Sequence, residues 1–231
     1  MSAIKRTFNL KLNRANKNLL IKKDVVMKIY DFEGFPNPAR IRIALAEKGV
    51  QDVEFVPIDV PNGEHRQAKF LANNPGGAVP LLELQDGTTI SECTAITEYI
   101  DGTYEGINLT GETPKQRAIV HMMQRRAESG VLDAIAAFFH HATAGLGPDI
   151  ETDQCPEWGN KQKTHAIDGM RYFDTVLAVN KYVAGHALSM ADITLYAGLG
   201  YADFAAVDIP KTASSLRAWR DRMAARPSIA S

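Results

Sequence analysis

The chain has 231 residues, enough for one large domain or two small ones, and no run of about 18 apolar residues that could cross a membrane as a helix. Its 45% hydrophobic and 23% charged residues are ordinary for a globular protein. The formal net charge of −1 is uneven, because residues 1–26 carry seven basic side chains and one acid while the other 205 residues carry 19 basic and 26 acidic groups, an acidic body that argues against nucleic acid as a partner.

Residues 1–26 lack the apolar stretch of a secretory signal and read as a disordered basic extension, with Met27 as the natural start. Their shortage of acids leaves an organelle-targeting segment open. From Met27 strands and helices alternate. Met27–Phe32 is β-prone, and Glu33–Asn37 is a Gly/Pro turn. Asn37-Pro38 reads as an N-cap and first helical proline, opening a helix over Ala39–Lys48 that Gly49 stops. Val53–Ile58 is a second strand and Arg66–Ala72 a short helix. Leu81–Leu84 and Thr88–Ile90 are strands joined by an Asp86-Gly87 hairpin turn, and Thr94–Asp101 is a helix. The order βαβαββα predicts a four-stranded α/β domain over 27–103. A linker over 104–113 leads into an all-helical domain over 114–231. Thr113-Pro114-Lys115-Gln116 is a capping box for one helix of about 25 residues. A second long helix runs over Glu157–Val176, Ser189–Asp192 is another capping box, and Ser215–Ala225 is the last helix.

The two cysteines, Cys93 and Cys155, cannot build a disulfide framework, and no Cys/His spacing suggests zinc. They fit a reducing compartment, and a cytoplasmic location is expected.

Four pieces carry a resemblance: Arg40-Ile41-Arg42-Ile43-Ala44-Leu45, Asn74-Pro75-Gly76-Gly77-Ala78-Val79-Pro80, Ser91-Glu92-Cys93-Thr94, and Ser189–Asp192 with Arg226-Pro227-Ser228 behind it. In this order they resemble the glutathione transferase family, over about residues 27–228. The nearest likeness is to its fungal and bacterial group, the yeast type, which lacks the usual catalytic Tyr, Ser or Cys. The resemblance implies a thioredoxin-like N-terminal domain followed by a helical domain, with glutathione as co-substrate, no other cofactor, no metal, and a homodimer. It implies a cis peptide before Pro80, which turns the Val79 backbone out to pair with glutathione like an added strand. Glu92 is expected to meet the ammonium of the γ-glutamyl end, and the N-terminal N–H groups at Cys93 and Thr94 its carboxylate. His65 is expected at the glycine carboxylate. A Lys common in the family before the Val-Pro step is Ala78 here, and the family's usual Ser after Glu92 is Cys93.

Catalysis is the open question. A free thiol has a pKa of about 8.5, so the thiolate must be stabilised. The family places Tyr, Ser or Cys soon after the first strand, whereas Asp31–Pro38 holds none of these. Asn37 is the one neutral polar side chain there and is assigned to capping. Two sources remain: main-chain N–H groups near Ala39 and Arg40 at the first helix's start, and His140 or His141 on the long helix, holding a water. Consecutive helical residues diverge by about 100°, so at most one of these His faces the thiol. The related yeast enzyme's assisting Ser corresponds to Ala136. Arg125-Arg126 reads as interface or surface charge. Met122-Met123 and Phe138-Phe139 read as core, with one Phe lining a pocket. The expected function is conjugation of the glutathione thiolate to electrophilic apolar compounds, a detoxification chemistry. The alternatives are a glutathione- or ligand-binding protein of the same fold with little turnover, and a dimerising scaffold.

Overall fold

The computed structural model describes residues 27–230; the reading of 1–26 falls outside them. The first half is β1 (Met27–Asp31), α1 (Pro36–Glu47), β2 (Val53–Pro57), a 3-10 turn at Glu64–Arg66, α2 (Ala68–Leu71), β3 (Leu81–Glu83), β4 (Thr89–Ser91) and α3 (Cys93–Thr103). The sheet order is β2-β1-β3-β4, with β1 parallel to β2 and antiparallel to β3. This is the expected βαβ crossover followed by a hairpin. At the hairpin Gly87 takes φ +83° and Asp86 accepts from the Thr88 N–H, as an Asp-Gly turn requires.

The second half holds α4 (Pro114–Ala127), a π-helical turn (Glu128–Leu132), α5 (Asp133–Ala142), α6 (Pro156–Val179), α7 (Met190–Phe204), α8 (Ser214–Ala224) and a short α9 (Pro227–Ala230). Both capping boxes form. Asp192 does more than cap: its buried carboxylate accepts from Val183 N, Ser189 N, Ser189 Oγ and Trp219 Nε1 at 2.8–3.1 Å. It pins the loop before α7 and the fully buried Trp219 of α8 together.

Two local expectations are corrected. Phe35, and not Asn37, caps α1, in an extended conformation (φ −82°, ψ 147°). Pro36 explains this: it forces its predecessor out of helical geometry and lacks an N–H, so it takes the first helical position and leaves Asn37 inside the first turn. The single 25-residue helix is interrupted by the π-turn. There Gly130 lies against Gly169 of α6 so closely that a Cβ on Gly169 would strike the Gly130 carbonyl. On a regular helix Asp133 would stand about 140° round from Glu128; the wider i→i+5 turn brings the two to one side.

α1 is shared between the two halves. Ile41 and Leu45 pack with Met27, Ile29, Leu82 and Ile96 on the sheet side. Ile43 and Ala44 pack into the helical core around Phe173 and Trp219. Polar contacts fasten the same join. Arg40 pairs with Glu128 and Glu47 accepts from Nε and Nη2 of Arg226, while within the first half Lys48 pairs with Asp101. Asp101 also accepts from Leu109 N and Thr110 N, drawing the connecting segment back onto α3.

Candidate active site

Two adjoining cavities lie along α1. The smaller, about 240 Å³, is lined by polar groups from both halves: Asn37, Arg40, Asn74, Val79, Pro80, Ser91, Glu92 and Cys93 from one, Arg125, Glu128 and Asp133 from the other. The Val79–Pro80 peptide is cis. The buried Asn74 holds the loop before it, donating to Ala78 O at 2.7 Å and accepting from Gly76 N at 3.2 Å. Among the described residues the Val79 N–H and C=O make no hydrogen bond, so both remain for an extended ligand.

Glu92 stands before α3 with φ 70° and ψ 121°, a rare conformation for a residue with a side chain. Its carboxylate is exposed and takes no partner among the described residues, while its C=O accepts the Ile96 N–H. The carboxylate is therefore available to a cation beside the open N-terminus of α3. Cys93 is buried and donates to Asn37 O at 3.4 Å. Burial pushes its thiol up to about 11 despite the nearby Arg40, so it acts as a tie between α3 and α1. The Thr94 hydroxyl accepts from Gln124 Nε2 at 2.6 Å and does not line the cavity. His65, expected at the glycine carboxylate, is buried in the 3-10 turn and lines neither cavity. Burial and Arg66 lower its pKa, and its Nδ1 finds no partner.

The larger cavity, about 610 Å³, is mostly apolar. Phe32 and Phe35 form one wall, their rings edge-on at 4.6 Å. Phe139, Tyr196, Tyr201 and Phe204 form the opposite one. Tyr196, Ala197, Gly200, Tyr201 and Phe204 follow the i, i+4 spacing of one face of α7. Asn37 and Val79 line both cavities, which meet there.

His140 and His141 part company, as their 100° separation requires. His140 lines the larger cavity. Its Nδ1 lies 2.7 Å from Glu151 Oε1, which also accepts the Leu146 N–H. An ionised carboxylate can only accept, so Nδ1 carries the proton and a neutral ring leaves Nε2 bare, 3.5 Å from the Tyr201 hydroxyl. Burial and Glu151 raise the Tyr201 pKa, keeping it a neutral phenol. His141 lies off the cavity and accepts from Cys155 N at 3.1 Å. Ala136 lines the cavity without a hydroxyl.

The main-chain donors expected near Ala39 are reduced. Pro36 and Pro38 have no N–H, and the Ala39 N–H is taken by Phe35 O at 3.0 Å. Of the first three helical residues, Asn37 alone keeps an N–H free. The sequence reading missed the roles of Arg40, Arg125, Glu128 and Asp133 in the smaller cavity and of Glu151 behind His140. Of the expected core pair, Met123 is buried and Met122 is exposed.

The family model for the glutathione S-transferase N-terminal domain matches residues 25–102, and that for the C-terminal domain matches 152–231. Glutathione S-transferase 2 of Saccharomyces cerevisiae is 52% identical over 204 residues, 88% of each chain. The solved structure of Gtt2 from that yeast superposes with a TM-score of 0.86, covering 88% of this chain and 98% of the other. A glutathione S-transferase domain-containing protein of Marinobacter aquaeolei is 61% identical, with TM-score 0.86, over 87% of this chain and 99% of that one. A maleylacetoacetate isomerase of Rattus norvegicus is 33% identical over 172 residues, 74% of this chain and 75% of that protein. With the cis Val79–Pro80 step, Glu92 before α3 and the apolar chamber beyond Asn37 in place, the chain belongs to the glutathione S-transferase family.

Proposed function

We propose that the chain binds glutathione in the smaller cavity and transfers its thiolate to an apolar electrophile held in the larger one. One observation carries this reading: a polar chamber bearing an unpaired strand-like backbone and a free carboxylate meets, at Asn37 and Val79, an apolar chamber containing His140. In it the Val79 backbone pairs with the tripeptide. Glu92 takes the γ-glutamyl ammonium, and the N–H groups of Cys93 and Thr94 take its carboxylate. His65 has no ligand contact in this assignment. A carbon–sulfur bond forms at the electrophilic carbon, the leaving group departs with its electron pair, and the thiol proton passes to His140 Nε2, directly or through a water. Holding both reactants where the cavities meet supplies the proximity.

Glutathione is a co-substrate in this reading, and no other cofactor takes part. The setting is cytoplasmic detoxification by a homodimer joined across the α/β domain of one subunit and the long helices of the other, which sedimentation at micromolar concentration tests. Residues 27–103 and 114–231 serve as the two domains.

Titrating the protein with glutathione while following thiolate absorbance tests binding and activation together. Glu92→Ala weakens glutathione binding by about 1.5–3 kcal/mol, the scale of a charge-assisted hydrogen bond. Unchanged affinity in a folded variant removes Glu92 from the site. A chain that binds glutathione but turns over no generic electrophile is the binding protein of the alternative reading, which the missing hydroxyl near α1 favours.

A further inference from the structure

The stretch Asp31–Pro38 offers a thiolate no Tyr, Ser or Cys to lean on, and Pro36 and Pro38 strip the first turn of α1 of all but one free N–H. What stands at the junction instead is the side chain of Asn37, exposed and facing both cavities. Phe35 caps the helix, which frees Asn37 from the capping role that its residue type suggests.

The orientation of its amide is decided by its neighbour. Arg40 Nη1 donates to Asn37 Oδ1 at 3.1 Å, and a guanidinium can only donate, so the carbonyl end faces Arg40. Arg40 cannot swing away. It is buried, and its Nη2 is held by Glu128 Oε1 at 2.7 Å. The amide nitrogen is therefore turned away from Arg40, and its two hydrogens have no acceptor among the described residues. The guanidinium charge of Arg40 beside the carbonyl oxygen draws electron density from that nitrogen and makes it a better donor.

We propose that Asn37 is the thiolate-stabilising residue: its Nδ2 donates to the glutathione sulfur where the two cavities meet, in the orientation imposed by Arg40 and Glu128. This rests on the reading of the smaller cavity as the glutathione site. It gives Asn37 a task separate from that of His140. Asn37 stabilises the charge on sulfur, while His140 receives the proton.

The test follows bound glutathione in the full chain by thiolate absorbance against pH, with affinity measured by calorimetry and turnover with 1-chloro-2,4-dinitrobenzene. In Asn37→Ala the pKa of the bound thiol rises by about one to two, the worth of one hydrogen bond to a charged group. Turnover at neutral pH falls about 10–100-fold with it, and glutathione affinity stays within about threefold. Asn37→Asp keeps the oxygen that Arg40 holds but offers no N–H, and gives a rise at least as large. An Ala variant that binds glutathione with the wild-type thiol pKa and turnover overturns the proposal and leaves the glutathione site standing. A wild-type protein that takes up no glutathione in calorimetry overturns both. Because Asn37 neither caps α1 nor is buried, both variants fold, which circular dichroism checks; unfolding of the Ala variant would mark Asn37 as structural and also reject the assignment.

Discussion

Arg40 and Glu128 meet across the join of the two domains, Nη2 to Oε1 at 2.7 Å, with 6% and 16% of their side chains exposed. Gln124 and Arg125 also approach the Glu128 carboxylate, at 3.3 and 3.5 Å. One buried charge from α1 thus fastens the thioredoxin-like half to the π-turn of the helical half and, through its other arm, orients Asn37.

Replacing Arg40 by Met keeps the apolar stem but leaves Glu128 short of its closest cation. Breaking a buried pair on one side costs about 3–5 kcal/mol. Arg125 remains within reach, so the lower end of that range is expected for Arg40→Met in chemical denaturation. A change below about 1 kcal/mol would show that the pair contributes little to holding the domains.

The two neighbouring histidines give unequal outcomes. His140→Ala lowers turnover about 10²–10⁴-fold where it removes acid–base assistance, with glutathione affinity nearly unchanged. His141→Ala leaves turnover within about twofold and costs about 0.5–1.5 kcal/mol of stability, the worth of its bond from Cys155 N. Steady-state kinetics and thermal melts of the pair decide this. Equal kinetic effects contradict the placement of His140 alone on the cavity.

The two cysteines differ in the same checkable way. With its thiol at about 11, Cys93 is thiolate in roughly one molecule in 10⁴ at pH 7, and it is buried as well. A maleimide at neutral pH therefore labels the exposed Cys155 in the native protein and reaches Cys93 only in denaturant. Peptide mass spectrometry reads the sites. Rapid native labelling of Cys93 would falsify its role as a passive tie.

Asp192 links stability to pH. Burial, opposed by its four donors, raises its pKa from an ordinary 3.8 to about 6. Between those values the folded state holds a proton that the unfolded state has lost, so this group's contribution is greatest below 3.8 and is lost as pH rises through about 6. Asp192→Asn removes that slope from the stability profile. It also turns an amide nitrogen toward at least one N–H, at a cost of about 1–3 kcal/mol at neutral pH. Denaturation curves of both proteins from pH 4 to 7 check both effects.

The elements whose causes are local were legible in the sequence. Thr113-Pro114-Lys115-Gln116 and Ser189–Asp192 cap their helices through side chains three residues apart, and Asp86-Gly87 turns its hairpin by backbone preference alone. Val79-Pro80 and Glu92 were singled out through resemblance; the peptide before Pro80 is cis, and the Glu92 carboxylate is exposed beside α3. Asn37 was misread because two prolines compete to start α1, and the first one prevails. The π-turn left no local signal, since its cause is the approach of Gly130 to Gly169, 39 positions away. Arg125, Glu128 and Asp133 reach the smaller cavity only because the helical half docks on α1. Nothing within their own helix marks which side faces the other domain. The face of α7 that builds the larger cavity was present as Tyr196, Gly200, Tyr201 and Phe204 at helical spacing, a pattern that core packing would also produce.

The two cavities meet at Asn37 and Val79, which line both. A guest in one chamber touches residues that a guest in the other also touches. Coupling between the two occupancies through these residues must be mutual: whatever factor glutathione applies to the affinity of an apolar compound, that compound applies to glutathione. An inhibitor that fills only the apolar chamber would accordingly change the grip on the tripeptide without touching Glu92, and its potency would depend on how much glutathione is present when it is measured.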